Sequence, residues 1–481
     1  MIKRFAASGG LLLAITSVAA ASSPLPLGSN AAPFVLKDVA IIGGGASGAY
    51  AAVRLKEDFK KSVILIEKES RLGGHVSTYD DPVSGKSYDF GVQNWNDYGP
   101  AAAFFARMNV SVGAPARTPL VSNYVDFTTG LAVNYSAPAS ADRTAALAAF
   151  LAAILPYEDM LLPGYWNFPR PDAIPADLLL PFGEFVAKYH LQAAVNQVFE
   201  VTGMGVGDMI NTPALYVIQA FGGPMIRNFL GQAGALAPTS RRNIEIYEAV
   251  AKRLGGDVLY SSTVTQAVRT SAGVTLLVKD AKGKTKLVVA KKLLIAIEPT
   301  AENMEPFELD KTEKEVFGKF KYSKVHAGVV SHPSLPVNVS LVNTPASASP
   351  ANYLELPKPN FIVRFDYLGS NLWRVLMVGD DKFDQAAAQQ LVRDNFQDMV
   401  AAGTLPPSLN SDAVEIKAWA NHGAMHMRVS VEELKAGFVQ KQYALQGRRS
   451  TWFTGGAWSV QFQSVLWAFD DILLPKMLAT K

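Results

Sequence analysis

With 481 residues, nearly half of them apolar, and a net charge of +3, the chain is long enough for two intertwined domains around a large core. So small a charge makes no case for nucleic acid or an anionic membrane surface as partner. The complete lack of cysteine excludes disulfides, thiol catalysis, thiolate metal sites and a cysteinyl link to a cofactor.

Lys3 and Arg4 precede the apolar run Leu11-Leu12-Leu13-Ala14-Ile15, and Val18-Ala19-Ala20-Ala21 offers small residues for cleavage. This pattern predicts a signal peptide over residues 1–21, followed by a polar spacer from Ser22 to Pro33. The run is too short to span a bilayer comfortably, so no membrane span is expected. N-x-S sequons at Asn109, Asn134 and Asn338 fit a secreted glycoprotein.

The next segment is the most informative. Lys37-Asp38-Val39-Ala40-Ile41-Ile42 reads as a buried parallel strand running into Gly43-Gly44-Gly45-Ala46-Ser47-Gly48, which fits G-x-G-x-x-G. A helix is predicted from Ala46 to about Asp58, then a strand over Ser62–Ile66 ending on Glu67. Gly43 makes the tight turn, Gly45 lets backbone N–H groups approach a pyrophosphate, and Gly48 permits close helix–strand contact. Glu67 lies where a carboxylate accepts hydrogen bonds from an adenosine ribose. Together these parts specify a dinucleotide site.

Past Glu67 come Arg71-Leu72-Gly73-Gly74-His75 and, after a polar turn, Tyr88-Asp89-Phe90-Gly91. This order resembles the flavin-containing amine oxidase superfamily, whose ribose-binding acid is followed by R-x-G-G and then by a D-x-G turn beside the flavin. The resemblance implies FAD rather than NAD. It also implies cofactor contacts from Gly43, Gly45, Ala46, Ser47, Gly48, Glu67, Lys68, Arg71, Gly73, Gly74, His75, Gly91 and Val92. His75 has two readings: a donor to the pyrophosphate, the one preferred, or a covalent link to the flavin.

From Ala141 to about Gly234 the chain reads as helices separated by Pro163, Pro169, Pro171, Pro175, Pro181 and Pro213. A helix over Ile244–Leu254 follows, then strands at Gly273–Lys279, Thr285–Val289 and Lys291–Ile297. In the superfamily this order includes a valine that offers its backbone to the adenine, and Val264 occupies that position. Residues 321–420 read as alternating strands (Val325–Ser331, Phe361–Tyr367, Leu372–Val378, Ala413–Ala420), with a helix over Gln385–Val400 between the last two. Such a sheet would floor a substrate cavity.

The chain closes with Thr451-Trp452-Phe453-Thr454-Gly455-Gly456-Ala457-Trp458 and a helix predicted from Ser459 to about Leu478, fraying at Pro475. Superfamily members end similarly, with a helix N-terminus pointing at the flavin ring, so Gly455, Gly456 and Val460 join the implied cofactor residues. The usual G-T-E is Gly455-Gly456-Ala457 here, which leaves that contact to backbone. This segment and Asp471-Ile472-Leu473-Leu474-Pro475-Lys476 are closer to the secreted fungal FAD-dependent oxidoreductases that include β-cyclopiazonate dehydrogenase, an oxidocyclase.

The expected fold is α/β: a Rossmann-type FAD-binding domain over 37–135, 236–320 and 445–481, interleaved with an α+β substrate domain over 136–235 and 321–444. The implied activity is hydride removal from a small, largely apolar organic molecule such as a secondary metabolite, with O2 or another acceptor reoxidising the flavin. Amine oxidation and redox-neutral double-bond isomerisation remain alternatives. A catalytically silent binding module is a third class, against which the intact glycines argue. Lys324 is the candidate for the water-binding lysine of amine oxidases, and Trp452 for an aromatic facing the flavin. His422 and His426 lie four apart without an accompanying acid, so no metal site is expected.

Overall fold

The computed structural model describes residues 34–116, 118–408 and 413–480; the expected signal peptide lies outside the described residues. Strand β1 (Phe34–Ile42), helix α1 (Ala46–Glu57) and strand β2 (Val63–Ile66) make the βαβ start. Strands β3 (Val121–Asp126) and β4 (Leu131–Ala132) come next, followed by short helices between Ser140 and Phe229. The chain continues through β5 (Val258–Leu259), β6 (Ser262–Thr270), β7 (Gly273–Asp280) and β8 (Thr285–Ile295). It then crosses into β9 (Lys321–Ser331), β10 (Val339–Asn343), β11 (Phe361–Gly369), β12 (Leu372–Gly379), α2 (Gln385–Ala401) and β13 (Glu415–Arg428). Finally β14 (Thr451–Phe453) and α3 (Gln463–Ala479) close the chain.

Two seven-stranded sheets result. The first runs β5-β2-β1-β8-β7-β6, with β14 also paired to β8; the second runs β13-β9-β12-β11-β10-β3-β4. In the first sheet β1, β2, β8 and β14 are parallel. All of β2 and the last four residues of β1 are buried, which is why they read as unbroken apolar runs rather than alternations. α3 packs on α1 although some 400 residues separate them: Trp467 stacks on Tyr50 with centroids 5.7 Å apart, and the Tyr50 hydroxyl donates to Asp471 at 2.8 Å. The first domain is therefore discontinuous in sequence.

Several expectations need correction. Residues 121–132, expected in the first domain, pair into the second sheet, where β3 runs parallel to β10 and Val125 and Phe127 enter its core. The two strands expected at 285–289 and 291–297 are one strand, β8, whose first half pairs with β7 and whose last residues pair with β14. The C-terminal helix starts at Gln463 rather than Ser459, and it continues through Pro475, which sits inside it. The helical stretch Ser140–Leu161 has the length and apolarity of a membrane span, yet Phe150, Leu151 and Ile154 are buried in the main core.

Candidate active site at the strand ends

The parallel strands of the first sheet end together. Gly43 N–H donates to Ile66 O, Ala296 N–H to Ile42 O and Thr454 N–H to Ile295 O, each at 2.9 Å. In open α/β sheets a ligand crevice lies at such carboxyl ends. Two glycines of the first loop are fixed by the fold itself. Gly43 has φ +94° and a Cβ there would lie 2.6 Å from Ile297 Cγ2; on Gly48 it would lie 1.9 Å from Gly43 O. Gly45 is different. Its φ is −72°, and an added Cβ would meet only Gly74 Cα, at an ordinary 3.7 Å. Neither backbone strain nor packing demands glycine at 45, so the open space is what a bound group would use.

That space is chemically suited to a diphosphate. α1 begins at Gly45 with no side-chain cap and no acid in its first turn, leaving N–H groups and the positive end of the helix dipole available. In that turn, next to Ala46, the Ser47 hydroxyl is buried without a partner. Gly73 (φ +117°) and Gly74 (φ +51°) close over the loop. Glu67 is buried, and its carboxylate accepts the N–H of Gly44 at 2.6 Å and of Glu69 at 2.8 Å. Ser262 N–H donates to Glu67 O at 2.9 Å, which brings the start of β6 beside the acid. Val264, two residues on, sits where β6 shifts register. Lys68 is exposed on the flank, and Arg71 is turned back onto Leu72 O and Ser77 Oγ.

The D-x-G turn rests on the glycine pair. A Cβ on Gly91 would lie 2.1 Å from His75 O, and Val92 N–H donates to the same oxygen at 3.2 Å. Asp89 holds this turn by accepting from Asn243 N–H at 3.0 Å and from Thr78; burial pushes its carboxyl up to about 6. On the other side, Gly455 (φ +110°) faces open space and Val460 is buried. α3 starts without a side-chain cap or a first-turn acid, and its Ser464 hydroxyl is buried and unpartnered. An acid does reach this turn after all, from the end of β8. Glu298 accepts from Gln461 at 3.0 Å and from the backbone of Gly456 and Ala457, and burial pushes it up to about 7. Its Oε2 has no partner among the described residues. The sequence reading leaves this contact to backbone alone because Glu298 is more than 150 residues upstream.

Strand β13 supplies what the sequence reading missed. Against β9 its register shifts at His422, which has no opposite residue, and again around His426, whose φ is +52°. Bulges of this kind re-aim side chains. The His422 ring stacks on His75, centroids 4.7 Å apart, with its Nε2 buried and unpartnered. His75 Nε2 bonds His422 O at 2.9 Å, and since a carbonyl only accepts, that nitrogen carries the proton. Burial pushes His75 down to about 4, so the neutral ring has no second N–H. Through Nε2, His75 fastens the glycine pair to β13.

The two candidate catalytic residues lie on different sheets, Lys324 on β9 and Trp452 on β14. β9 pairs with β12 without a shift, so strict alternation applies. Val325 joins the main core, and Ala327 and Val329 pack with Phe90 of the first domain. Lys324 shares the opposite face with His326, whose ring lies edge-on to Phe383 on the α2 side. The lysine itself is half-buried. Trp452 lies within β14 beside Leu294 and packs 3.0 Å from where a Cβ on Gly447 would stand; that contact is before the strand, not beyond its carboxyl end.

Residues 41–108 match the NAD(P)-binding Rossmann-like domain family. The chain is 33% identical over 480 residues to the FAD-dependent oxidoreductase oblC of Cochliobolus heterostrophus, covering 97% of each chain. It is 32% identical over 458 residues to β-cyclopiazonate dehydrogenase of Aspergillus oryzae, covering 94% of this chain and 95% of that one. Among solved structures, a CLA-producing fatty acid isomerase from P. acnes superposes with TM-score 0.70 at 18% identity, covering 91% and 98% of the two chains. Putrescine oxidase superposes with TM-score 0.61 at 16% identity, covering 93% and 100%. Fold and site thus define an FAD-dependent oxidoreductase on the flavin amine oxidase architecture. Its near full-length identity to the curated proteins sets the narrower group: the chain belongs to the family of FAD-dependent oxidoreductases that includes β-cyclopiazonate dehydrogenase.

Proposed function

We propose that this enzyme removes a hydride from a small, largely apolar organic substrate of the secondary-metabolite kind, with O2 or another small acceptor completing the cycle. Ring closure following hydride removal is the favoured outcome, by analogy with a relative named β-cyclopiazonate dehydrogenase. FAD, when bound, supplies the two-electron acceptor. The chain's own part is to hold and orient it: Gly45, Ser47 and Gly74 at the diphosphate, Glu67 at the ribose, and the open N-terminus of α3 where charge develops on the ring. The observation carrying the reading is the space at Gly45, which the protein itself has no need to leave open.

The likeness to a fatty acid isomerase supports redox-neutral double-bond isomerisation as a second reading. Amine oxidation is a third reading, supported by the likeness to putrescine oxidase. Purified protein should be yellow, and candidate substrates should bleach it in the absence of oxygen. A colourless protein after gentle purification would remove the whole class. Turnover without peroxide or any reduced acceptor, yielding a shifted double bond, would favour isomerisation.

We also propose secretion, with residues 1–21 removed and glycans at Asn109, Asn134 and Asn338. All three asparagines are exposed, which supports access by the glycosylation machinery. N-terminal sequencing of protein from the native host, and its gel mobility after glycosidase treatment, test both points.

A further inference from the structure

Glu298 stands between the two glycine turns of the proposed cofactor site. Its neighbour Ile297 packs against the first, where a Cβ on Gly43 would lie 2.6 Å from Ile297 Cγ2. Its own carboxyl meets the second, where a Cβ on Gly456 would lie 2.6 Å from Glu298 Oε1. The backbone is pinned just past β8, since the Glu298 carbonyl accepts from Thr300 N–H at 2.9 Å and from Asn303 Nδ2 at 2.8 Å. The residue as a whole is half-buried, but Oε2 is buried with no partner among the described residues.

No positive charge accompanies this carboxyl. Its partners are Gln461 and the N–H groups of Gly456 and Ala457. The loop 43–48 and the turn 454–462 contain no titratable residue. On α3, Asp470 is buried, accepts from Thr454 Oγ1 and is itself raised by burial. Past β8, Glu302 and Glu305 are exposed. Burial therefore wins at Glu298, and a carboxyl at about 7 populates both protonation states at neutral pH.

The two states offer different things to a cofactor ring held at this turn. As a carboxylate, Glu298 keeps the N–H groups of Gly456 and Ala457 to itself and repels negative charge arriving nearby. As a carboxylic acid it carries no charge and accepts those bonds more weakly, which leaves them and the uncapped start of α3 to the incoming charge. Charge gained by the ring must favour the protonated acid, and by reciprocity the protonated acid must favour the charged ring.

We propose that Glu298 couples reduction of the cofactor to uptake of a proton. As the substrate's C–H bond breaks and the hydrogen passes with its electron pair to FAD, the ionised carboxylate binds one proton from solvent. Reoxidation by the acceptor releases that proton again. This coupling rests on the oxidoreductase reading and adds a pH control to it.

Potentiometric titration of the flavin-loaded protein from pH 6 to pH 9 tests it. Glu298→Gln matches the protonated acid in shape and charge and should keep its flavin. Over part of the range the wild-type midpoint potential should fall more steeply with pH than the variant's. The difference should reach about 30 mV per pH unit, which is tenfold in the equilibrium constant of a two-electron couple. Gln461→Leu removes a bond that favours the carboxylate, so the steep segment should move to higher pH, and this variant decides the matter if the glutamine variant loses its flavin. Equal slopes in the wild type and Glu298→Gln, or a steep segment unmoved in Gln461→Leu, would overturn the proposal. A yellow protein with equal slopes sinks the coupling alone, whereas a protein that retains no flavin sinks the oxidoreductase reading.

Discussion

Two arginines in this enzyme, one buried and one half-buried, are treated in opposite ways. Arg269 of β6 is fully engaged: it meets both oxygens of Glu313 at 2.8 and 2.7 Å, Phe307 O at 2.8 Å and Thr451 Oγ1 at 3.3 Å. Neither member of that pair reaches solvent, with side chains 0% and 1% exposed. Arg428 has a single backbone acceptor. The glycines divide similarly, since Gly48 is demanded by the atoms around it and Gly45 is not. A group that the protein itself satisfies holds the fold. One left open by the protein is available to a ligand, and the two kinds should respond differently to substitution.

The largest expected effect is on the open side. Gly45→Val should fold normally, because its φ of −72° and the nearest contact of 3.7 Å admit a side chain. Flavin retention should be lost, because the branched side chain fills the diphosphate space. Flavin absorbance per mole of protein and the melting temperature of the apo-protein measure the two halves. A variant that unfolds, or one that stays yellow, breaks the contrast with Gly48.

On the closed side, Glu313→Ala strands a buried guanidinium and should cost about 3–5 kcal/mol in denaturant unfolding. Arg428→Met removes a single bond to His426 O and should stay within about 1 kcal/mol of the wild type. Equal losses at both sites would show that Arg428 is structural too.

What could be read from sequence follows the same division. The Gly43–Gly48 loop, Glu67 and the Gly455–Gly456 turn are local patterns, each complete within a few residues of a strand end, and the structure brings them together. The face presented by Lys324 is not local: it depends on the β9–β12 register. On β13 the bulges at His422 and His426 break the alternation by which a strand face could be assigned, so the pair reads only as a rejected metal site. Glu298 escapes notice because its partners Gly456 and Gln461 are supplied by the far end of the chain. The membership of β3 in the second sheet is not legible either, because its partner β10 lies some 200 residues away and no local pattern marks the pairing.

The carboxylates sharpen the contrast further. Glu313 is paired through both oxygens, whereas Glu298 has one oxygen unpartnered and is raised from 4.5 to about 7, chiefly by burial. The folded state therefore holds a proton that the unfolded chain releases between those values. Stability of the apo-protein should fall as pH rises through that window and level off above it. Glu298→Gln should remove about 2–3 kcal/mol of that decline, seen by comparing denaturant midpoints at pH 5 and pH 8. A wild-type profile no steeper than the variant's would place Glu298 in solvent.

The smallest effect tests whether an acid that the protein already satisfies in part can also serve the ligand. Glu67 accepts from Gly44 and Glu69, so its oxygens are aimed before the ribose arrives, and the lone pairs left over are what a pair of hydroxyls can use. Glu67→Gln keeps the shape but replaces one acceptor with a donor. That NH2 must face either a backbone N–H, which repels it, or the ribose, where it forms a weaker, uncharged bond. FAD affinity should fall by about 1–2 kcal/mol, roughly 5- to 30-fold in Kd, as read by titrating apo-protein and following flavin fluorescence quenching. Glu67→Ala should lose more, because Gly44 and Glu69 N–H are then both left without acceptors. If the glutamine variant binds as tightly as the wild type, the carboxylate belongs to the loop alone and the ribose is held by other groups.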